Sequence, residues 1–134
     1  QNKYSLYDRS AEADLVPACL HAGVGILPYF PLEYGLLTGK YRRGQPAPPG
    51  SRLAAQPARL ELADFDRIET LERFAADRDI GVLDLAVGGL AAQPAVASVI
   101  AGATNPDQVA ANVHAGFWQP TRADLAALDE TVPA

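Results

Sequence analysis

The chain has no methionine, one cysteine and one tryptophan in 134 residues. A single thiol, Cys19, excludes an internal disulfide and suits a reducing compartment, so a cytoplasmic location is expected. No apolar run reaches the roughly 18 residues that a membrane-spanning helix needs, so no membrane partner is expected. No basic, signal-like segment opens the chain. With no initiator methionine, Gln1 is expected either to lie inside a longer sequence or to follow a removed Met. Two histidines, His21 and His114, and one cysteine form no metal-binding spacing. No Ser–His–Asp arrangement stands out in a motif context. A net charge of −5 argues against nonspecific binding to nucleic acid.

The charge that is present is unevenly spread. Between Tyr34 and Leu60 there is no acid, but there are Lys40, Arg42, Arg43, Arg52 and Arg59; Glu61–Asp84 is then rich in acids. A local basic loop in an acidic protein fits the handling of a small anion. The plainer alternative is a solvated loop with scattered charges, and composition alone leaves both open.

Periodicity predicts alternating strands and helices. Tyr4–Tyr7 reads as a short strand. Ser10 is placed to cap a helix over Ala11–Ala22 that buries Leu15, Ala18 and Cys19, with Pro17 shifting the regular part toward itself and Gly23 stopping it. Val24–Tyr29 is a continuous apolar run, the pattern of a parallel strand covered on both faces. Phe30–Ala63 has little periodicity and many Gly and Pro residues, with one helical turn expected in Leu36–Tyr41; long loops of this kind are usually functional or disordered. Asp64 caps a helix to about Asp79 with an apolar stripe of Phe65, Ile68, Leu71 and Phe74–Ala75. A helix over Leu83–Gln93 follows. Its Gly88-Gly89 pair costs about 1 kcal/mol per glycine against Ala, which a close helix–strand approach would explain. Val96–Ala101 is the third strand, Pro106–Ala115 a helix, and Thr121 opens a last helix with Leu125 and Leu128 on its apolar face.

The densest local signal is Val96–Asn112. An apolar strand ends at Gly102 and runs at once into a helix start, with Asn105 as N-cap, Pro106 at the first helical position and Gln108 three residues beyond the cap. Such a terminus carries unpaired N–H groups and partial positive charge, which suit a phosphate. An ordinary capped strand–helix joint has the same pattern.

Strands alternating with helices imply α/β architecture built of parallel βα units. Three parallel strands cannot close a barrel and would leave two open edges. Residues 1–134 are therefore expected to form an incomplete domain that self-associates when isolated.

Four stretches carry a family resemblance: Gln1-Asn2-Lys3-Tyr4-Ser5-Leu6; Gly25-Ile26-Leu27-Pro28-Tyr29-Phe30-Pro31-Leu32; Gly35-Leu36-Leu37-Thr38-Gly39-Lys40-Tyr41; and Ile100-Ala101-Gly102-Ala103-Thr104-Asn105-Pro106-Asp107-Gln108 with Asn112. Together, in this order and spacing, the chain resembles the C-terminal part of an aldo-keto reductase, in the branch of the potassium-channel β subunits and their bacterial relatives. The resemblance implies an α/β fold, the C-terminal part of a (β/α)8 TIM barrel with parallel strands six to eight and their helices. It also implies NADP(H) as cofactor and, in the intact enzyme, a small-molecule carbonyl substrate.

Residue roles come from the same resemblance. Gln1 matches the glutamine that bonds the nicotinamide carboxamide, and an amide offers the donor and acceptor this needs. Tyr29 matches the aromatic that stacks on the nicotinamide ring. Phe30, Pro31, Leu32 and Gly35 match the loop around the pyrophosphate; Phe30 stands where many relatives have serine, so a contact there would come from backbone. Lys40 and Arg52 match basic positions that reach phosphates, with Ser51 beside them. Gly102, Thr104, Gln108 and Asn112 match the adenosine end. Gln108 departs from the arginine of another branch, and Ala111 from an acid found in many relatives. Arg42, Arg43 and Arg59 match no motif and are expected to be solvated. The family's proton donor tyrosine and its aspartate, lysine and histidine partners have no match, so no catalytic residue is expected here. The reading is thus the cofactor-holding segment of an NADP(H)-dependent reductase of aldehydes or ketones; the alternative is a non-catalytic nicotinamide-nucleotide-binding regulatory module.

Overall fold

Three extended segments run side by side and parallel in a computed structural model that describes residues 1–134. β1 (Asn2–Lys3) pairs with β2 (Pro28–Tyr29), with Asn2 opposite Pro28 and Lys3 opposite Tyr29. The third segment meets β2 at two isolated bridges, Ile26 to Val96 and Tyr29 to Ile100. Ile26 to Tyr29 is three steps along the chain and Val96 to Ile100 is four, so one extra residue lies opposite β2. A bulge of this kind breaks a ladder, and for that reason the expected strand Val96–Ala101 is not a regular one. The expected Val24–Tyr29 strand is likewise regular only at Pro28–Tyr29.

The strand expected at Tyr4–Tyr7 lies earlier, at Asn2–Lys3. Tyr4, Ser5 and Leu6 are all buried, so the segment does not present one face in and one face out but dives into the core. A turn follows, in which the Ser5 N–H donates to the Asp8 carbonyl at 3.1 Å and the Asp8 N–H to the Ser5 hydroxyl at 2.9 Å.

Three helices begin at side-chain caps, those after Asp64, Asn105 and Thr121, whereas the expected cap Ser10 starts none. α1 (Leu15–Ala22) is shorter than the expected Ala11–Ala22, because Ser10–Glu12 forms a separate 3₁₀ turn; Gly23 ends α1 in the left-handed conformation. Val16 is its buried residue, Leu15 and Cys19 are half-buried, and Ala18 is exposed, which corrects the expected face. The expected loop Phe30–Ala63 contains 3₁₀ turns at Glu33–Thr38 and Arg52–Ala55 and a short helix, α2 (Pro57–Glu61). α3 (Phe65–Ala76) is capped by the Asp64 side chain, which accepts from the Arg67 N–H at 3.0 Å. α4 (Val82–Asp84) passes into a π-helical turn over Leu85–Gly89, where a regular helix Leu83–Gln93 was expected. A Cβ on Gly88 would lie 2.5 Å from the Trp118 carbonyl oxygen and 3.0 Å from that of Ala115, so Gly88 admits the backbone after α5 (Pro106–Ala115), a helix end rather than the expected strand. α6 (Arg122–Thr131) starts at a reciprocal capping box between Thr121 and Asp124.

The main core gathers Tyr4, Leu6, Leu37, Leu71, Leu85 and Leu90 with their neighbours. A smaller cluster of Leu36, Tyr41, Leu53 and Ile68 lies under the long connection from β2 to α3. The chain end is held by two arginines, Arg9 after β1 and Arg67 on α3. Arg9, 3% exposed, bonds Glu12 and Asp129 and donates to the Val132 carbonyl at 2.8 Å. Arg67 donates to the Pro133 carbonyl at 3.0 Å.

Candidate functional site

Parallel pairing decides which loops share an end of the sheet. Tyr29 is level with Lys3 on one side and Ile100 on the other, so the turns that follow Lys3, Tyr29 and Ile100 emerge together. Gly102 is two residues beyond Ile100, at that same end. Residues in register on adjacent strands share a face, and alternate residues along a strand do too. Gln1, exposed at the chain start, therefore lies on the face of Lys3 and Tyr29. Tyr29 is 39% exposed, so its ring is available to a ligand rather than sealed in the core.

The loop after Tyr29 is strained and held. Phe30, Glu33 and Tyr34 have φ of 57°, 42° and 58°, in the left-handed region, and Gly35 has φ of 92°. For residues with a side chain this costs about 1–2 kcal/mol each. Packing and polar contacts hold it in place. Leu36 and Leu37 are buried below it, and the Glu33 carboxylate is 2.9 Å from Lys3 Nζ and accepts from the Ser5 hydroxyl at 3.3 Å. Lys3 also bonds Asp8 at 2.9 Å. Burial disfavours the Lys3 ammonium, yet the hydrogen bonds to Asp8 and Glu33 outweigh it and hold the pKa above the ordinary lysine value. Asp8 is pulled down to about 2, first by Lys3 and then by Ser10.

The result is a ladder of rings at the mouth of the sheet. Tyr29 meets Phe30 edge to face at 5.5 Å, and Phe30 stacks on Tyr34 at 4.9 Å. Arg52 lies 5.6 Å from the Phe30 ring and 4.8 Å from that of Tyr34. Its backbone is fixed by its neighbour: Leu53 is buried and donates its N–H to the Tyr41 hydroxyl at 3.2 Å. Ser51, on the other side of Arg52, has a buried hydroxyl with no hydrogen-bond partner. Lys40 is exposed, lies 5.5 Å over the Tyr41 ring and approaches Gly35 so closely that a Cβ there would sit 3.3 Å from Nζ. Neither Lys40 nor Arg52 is paired with a carboxylate. Pro31 is buried and Leu32 packs on the main core, so what these two offer a ligand is backbone.

At the neighbouring joint Asn105 caps α5 by accepting from the Gln108 N–H at 2.9 Å. The Gln108 side chain does not return to the cap residue as a capping box would have it. It accepts from the Thr104 N–H at 2.8 Å and the Thr104 hydroxyl at 3.1 Å. Asn112 donates to the Gly102 carbonyl at 3.4 Å. Gly102, Thr104, Gln108 and Asn112 thus converge, as their spacing predicts. A Cβ on Gly102 would meet nothing within 4 Å, so the backbone there is open to an approaching molecule. The joint carries no cation, and Asp107 is the acid of its first turn.

A model of the aldo/keto reductase family matches residues 1–133. The chain belongs to the aldo/keto reductase family. It is 34% identical over 136 residues to the NADH-specific methylglyoxal reductase of Escherichia coli, an alignment covering 100% of this chain and 41% of that protein. It is 33% identical over 122 residues to a probable voltage-gated potassium channel subunit beta of Oryza sativa, covering 86% of this chain and 37% of that one. The solved structure of the glycerol dehydrogenase of Gluconobacter oxydans superposes with a TM-score of 0.74 at 28% identity, over 96% of this chain and 41% of that one. The chain therefore spans less than half the length of these relatives.

In this aldo/keto reductase chain the expected residues fall into two groups. Tyr29, Phe30, Gly35, Lys40, Ser51 and Arg52 cluster around the ring ladder, and Gly102, Thr104, Gln108 and Asn112 form the adjacent joint. Sequence reasoning missed Tyr34 and Arg59. Arg59 is exposed, as expected of a solvated residue, and its guanidinium lies 4.1 Å over the Tyr34 ring. The acid-free stretch was the available signal. Arg42 and Arg43 are also committed, to Glu72 and to Glu69 with Asp66 on α3.

Proposed function

We propose that this chain holds the dinucleotide in an NADP(H)-dependent reductase of aldehydes and ketones, its three parallel segments acting as strands six to eight of a (β/α)8 barrel. The observation that carries the reading is the level pairing of Tyr29 with Ile100, which sets an exposed ring and the Gly102 turn at one end of the sheet. One extended cofactor can touch both. The residues present fit such a group: unpaired Lys40 and Arg52, the orphaned Ser51 hydroxyl and the open backbone at Gly102. The bound nicotinamide supplies hydride.

In this reading Tyr29 covers one face of the nicotinamide and leaves the other to the substrate, and Gln1 bonds its carboxamide. Lys40, Arg52 and Ser51 take phosphate oxygens through charge-assisted hydrogen bonds. The Thr104, Gln108 and Asn112 side chains meet the adenosine end. The joint carries no cation, so Lys40 and Arg52 are the charges within this chain available to the additional phosphate of NADPH. A relative specific for NADH makes titration with both forms the proper test. Fluorescence titration with NADPH and with NADH is expected to show tighter binding of NADPH, weakened by Arg52→Gln and by Tyr29→Ala. Equal binding of both would refute the NADP(H) preference, and binding of neither would refute the cofactor reading. The 134-residue chain is expected to bind without reducing carbonyls; turnover by it would overturn the assignment of proton transfer to residues outside it.

A second reading, a regulatory module that binds the nucleotide without turnover, is supported by the similarity to a protein named as a channel β subunit. Turnover in a longer protein containing this chain separates the two.

A further inference from the structure

A cleft of about 710 Å³, a volume in the range of small-molecule sites, is lined by Tyr34 and Arg59. Phe30 stacks on the Tyr34 ring at 4.9 Å, and two guanidinium groups also approach that ring, Arg59 at 4.1 Å and Arg52 at 4.8 Å. The walls are largely apolar, with Tyr34, Leu36, Leu62 and Ala63 among them. Lys3 is also in the lining, and Lys3 is level with Tyr29 across the β1–β2 ladder. The cleft is thus lined by a residue in register with Tyr29 as well as by Arg59.

Its polar groups are unbalanced. Arg59 has no carboxylate partner; its Nε donates to the Gln56 side-chain oxygen at 3.1 Å, which leaves both terminal nitrogens free to donate. The same bond turns the Gln56 amide NH₂ group free. The Tyr7 hydroxyl accepts from the Asp64 N–H at 2.8 Å and keeps its own proton to give. Glu33 is the one carboxylate in the lining, and its Oε1 is taken by Lys3 and Ser5. Three donor groups, on Arg59, Gln56 and Tyr7, thus outnumber the single carboxylate of a largely apolar lining. Donors in such a setting are satisfied by a ligand that accepts, and a guanidinium best by an oxyanion.

We propose that this cleft binds the anionic tail, a carboxylate or phosphate, of a small carbonyl substrate. The inference rests on the reductase reading for the word substrate and on the donor set for the anion. The test is chemical-shift titration of the 134-residue chain with 4-oxobutanoate, with butanal as its uncharged counterpart, and with inorganic phosphate. At least tenfold tighter binding of 4-oxobutanoate than of butanal is expected, because a charge-assisted bond contributes about 10- to 100-fold in affinity. Arg59→Gln should remove that difference and Arg59→Lys should retain part of it. Arg59 is exposed, so an unchanged unfolding midpoint confirms that R59Q is folded. Binding of phosphate but not of 4-oxobutanoate, if lost in R59Q, supports the site and assigns it to a phosphate tail. Equal binding of the two aldehydes without phosphate binding, or anion binding unchanged in R59Q, overturns the proposal. Anion binding without affinity for either dinucleotide would instead sink the reductase reading and leave the cleft assignment standing.

Discussion

Replacing Gly88 by alanine tests the packing that positions α5. In an ordinary helix this change stabilises by about 1 kcal/mol. Here the new methyl would lie 2.5 Å from the Trp118 carbonyl oxygen, 3.0 Å from the Ala115 carbonyl oxygen and 3.2 Å from Trp118 Cβ. The closest two are backbone atoms that cannot swing aside. They belong to the turn in which the Trp118 N–H donates to the Ala115 carbonyl at 3.4 Å, so relief requires moving the C-terminal end of α5. Overpacking of this kind costs about 1–3 kcal/mol and prevails over the propensity gain. After the propensity gain is subtracted, net destabilisation of up to about 2 kcal/mol is expected for G88A from urea unfolding followed by circular dichroism. Gly89 provides the control. Its added methyl would meet only side-chain carbons, Leu6 Cδ1 at 3.2 Å and Leu85 Cδ1 and Trp118 Cζ3 at 3.3 Å, which shift by tenths of an ångström. G89A should therefore cost less than G88A. A G88A protein as stable as the parent would refute the argument that the π-turn exists to admit the Trp118 backbone.

Acid should weaken the fold between about pH 4 and pH 2. Asp8 and Asp124 are both held at about 2, against an ordinary 3.8, by Lys3 with Ser10 and by Thr121 with Arg78. Since the unfolded chain binds these protons first, stability is full above the ordinary value and falls as pH drops through the depressed one; a urea midpoint that does not fall from pH 5 to pH 3, or that D8N and D124N fail to flatten, contradicts this. Gly102→Ala should leave the unfolding midpoint within about 0.5 kcal/mol of the parent, as an open surface site does, while weakening NADPH binding in the same titration that tests Arg52; unchanged affinity would remove Gly102 from the site. Val109, Val113 and Phe117 stand 53%, 58% and 73% exposed along and just beyond α5, so sedimentation of the isolated chain should show mass rising with concentration. A monomer throughout would count against that.

The sequence was most legible where one or two neighbouring residues decide the outcome. Asp64, Asn105 and Thr121 each cap the helix they were expected to cap, because a cap needs only a side-chain oxygen and the N–H groups a turn away. Strand limits were not legible. Whether Val96–Ala101 forms a ladder depends on its register with residues 26–29, some 70 positions away, and the extra residue between the two bridges is invisible in a pattern of apolar letters. The Gly88-Gly89 pair announced a close approach but not the π-turn, since the helix widens in answer to Trp118. In the site, motif spacing brought the expected loop and joint residues together. Tyr34 and Arg59 escaped because stacking of a cation on a ring is made by tertiary packing and leaves no periodic trace. Arg42 and Arg43 are exposed, as expected, but their acidic partners on α3 were not legible, because those pairs too are made by tertiary packing.

The left-handed run at Phe30, Glu33 and Tyr34 has a kinetic consequence. Buried leucines and the Lys3–Glu33 contact fix that backbone during folding, before any ligand arrives. A molecule reaching the rings meets a surface already in its final shape, so little ordering entropy opposes capture. Association should then follow the encounter rate in a single exponential phase, with no slow step of loop closure behind it.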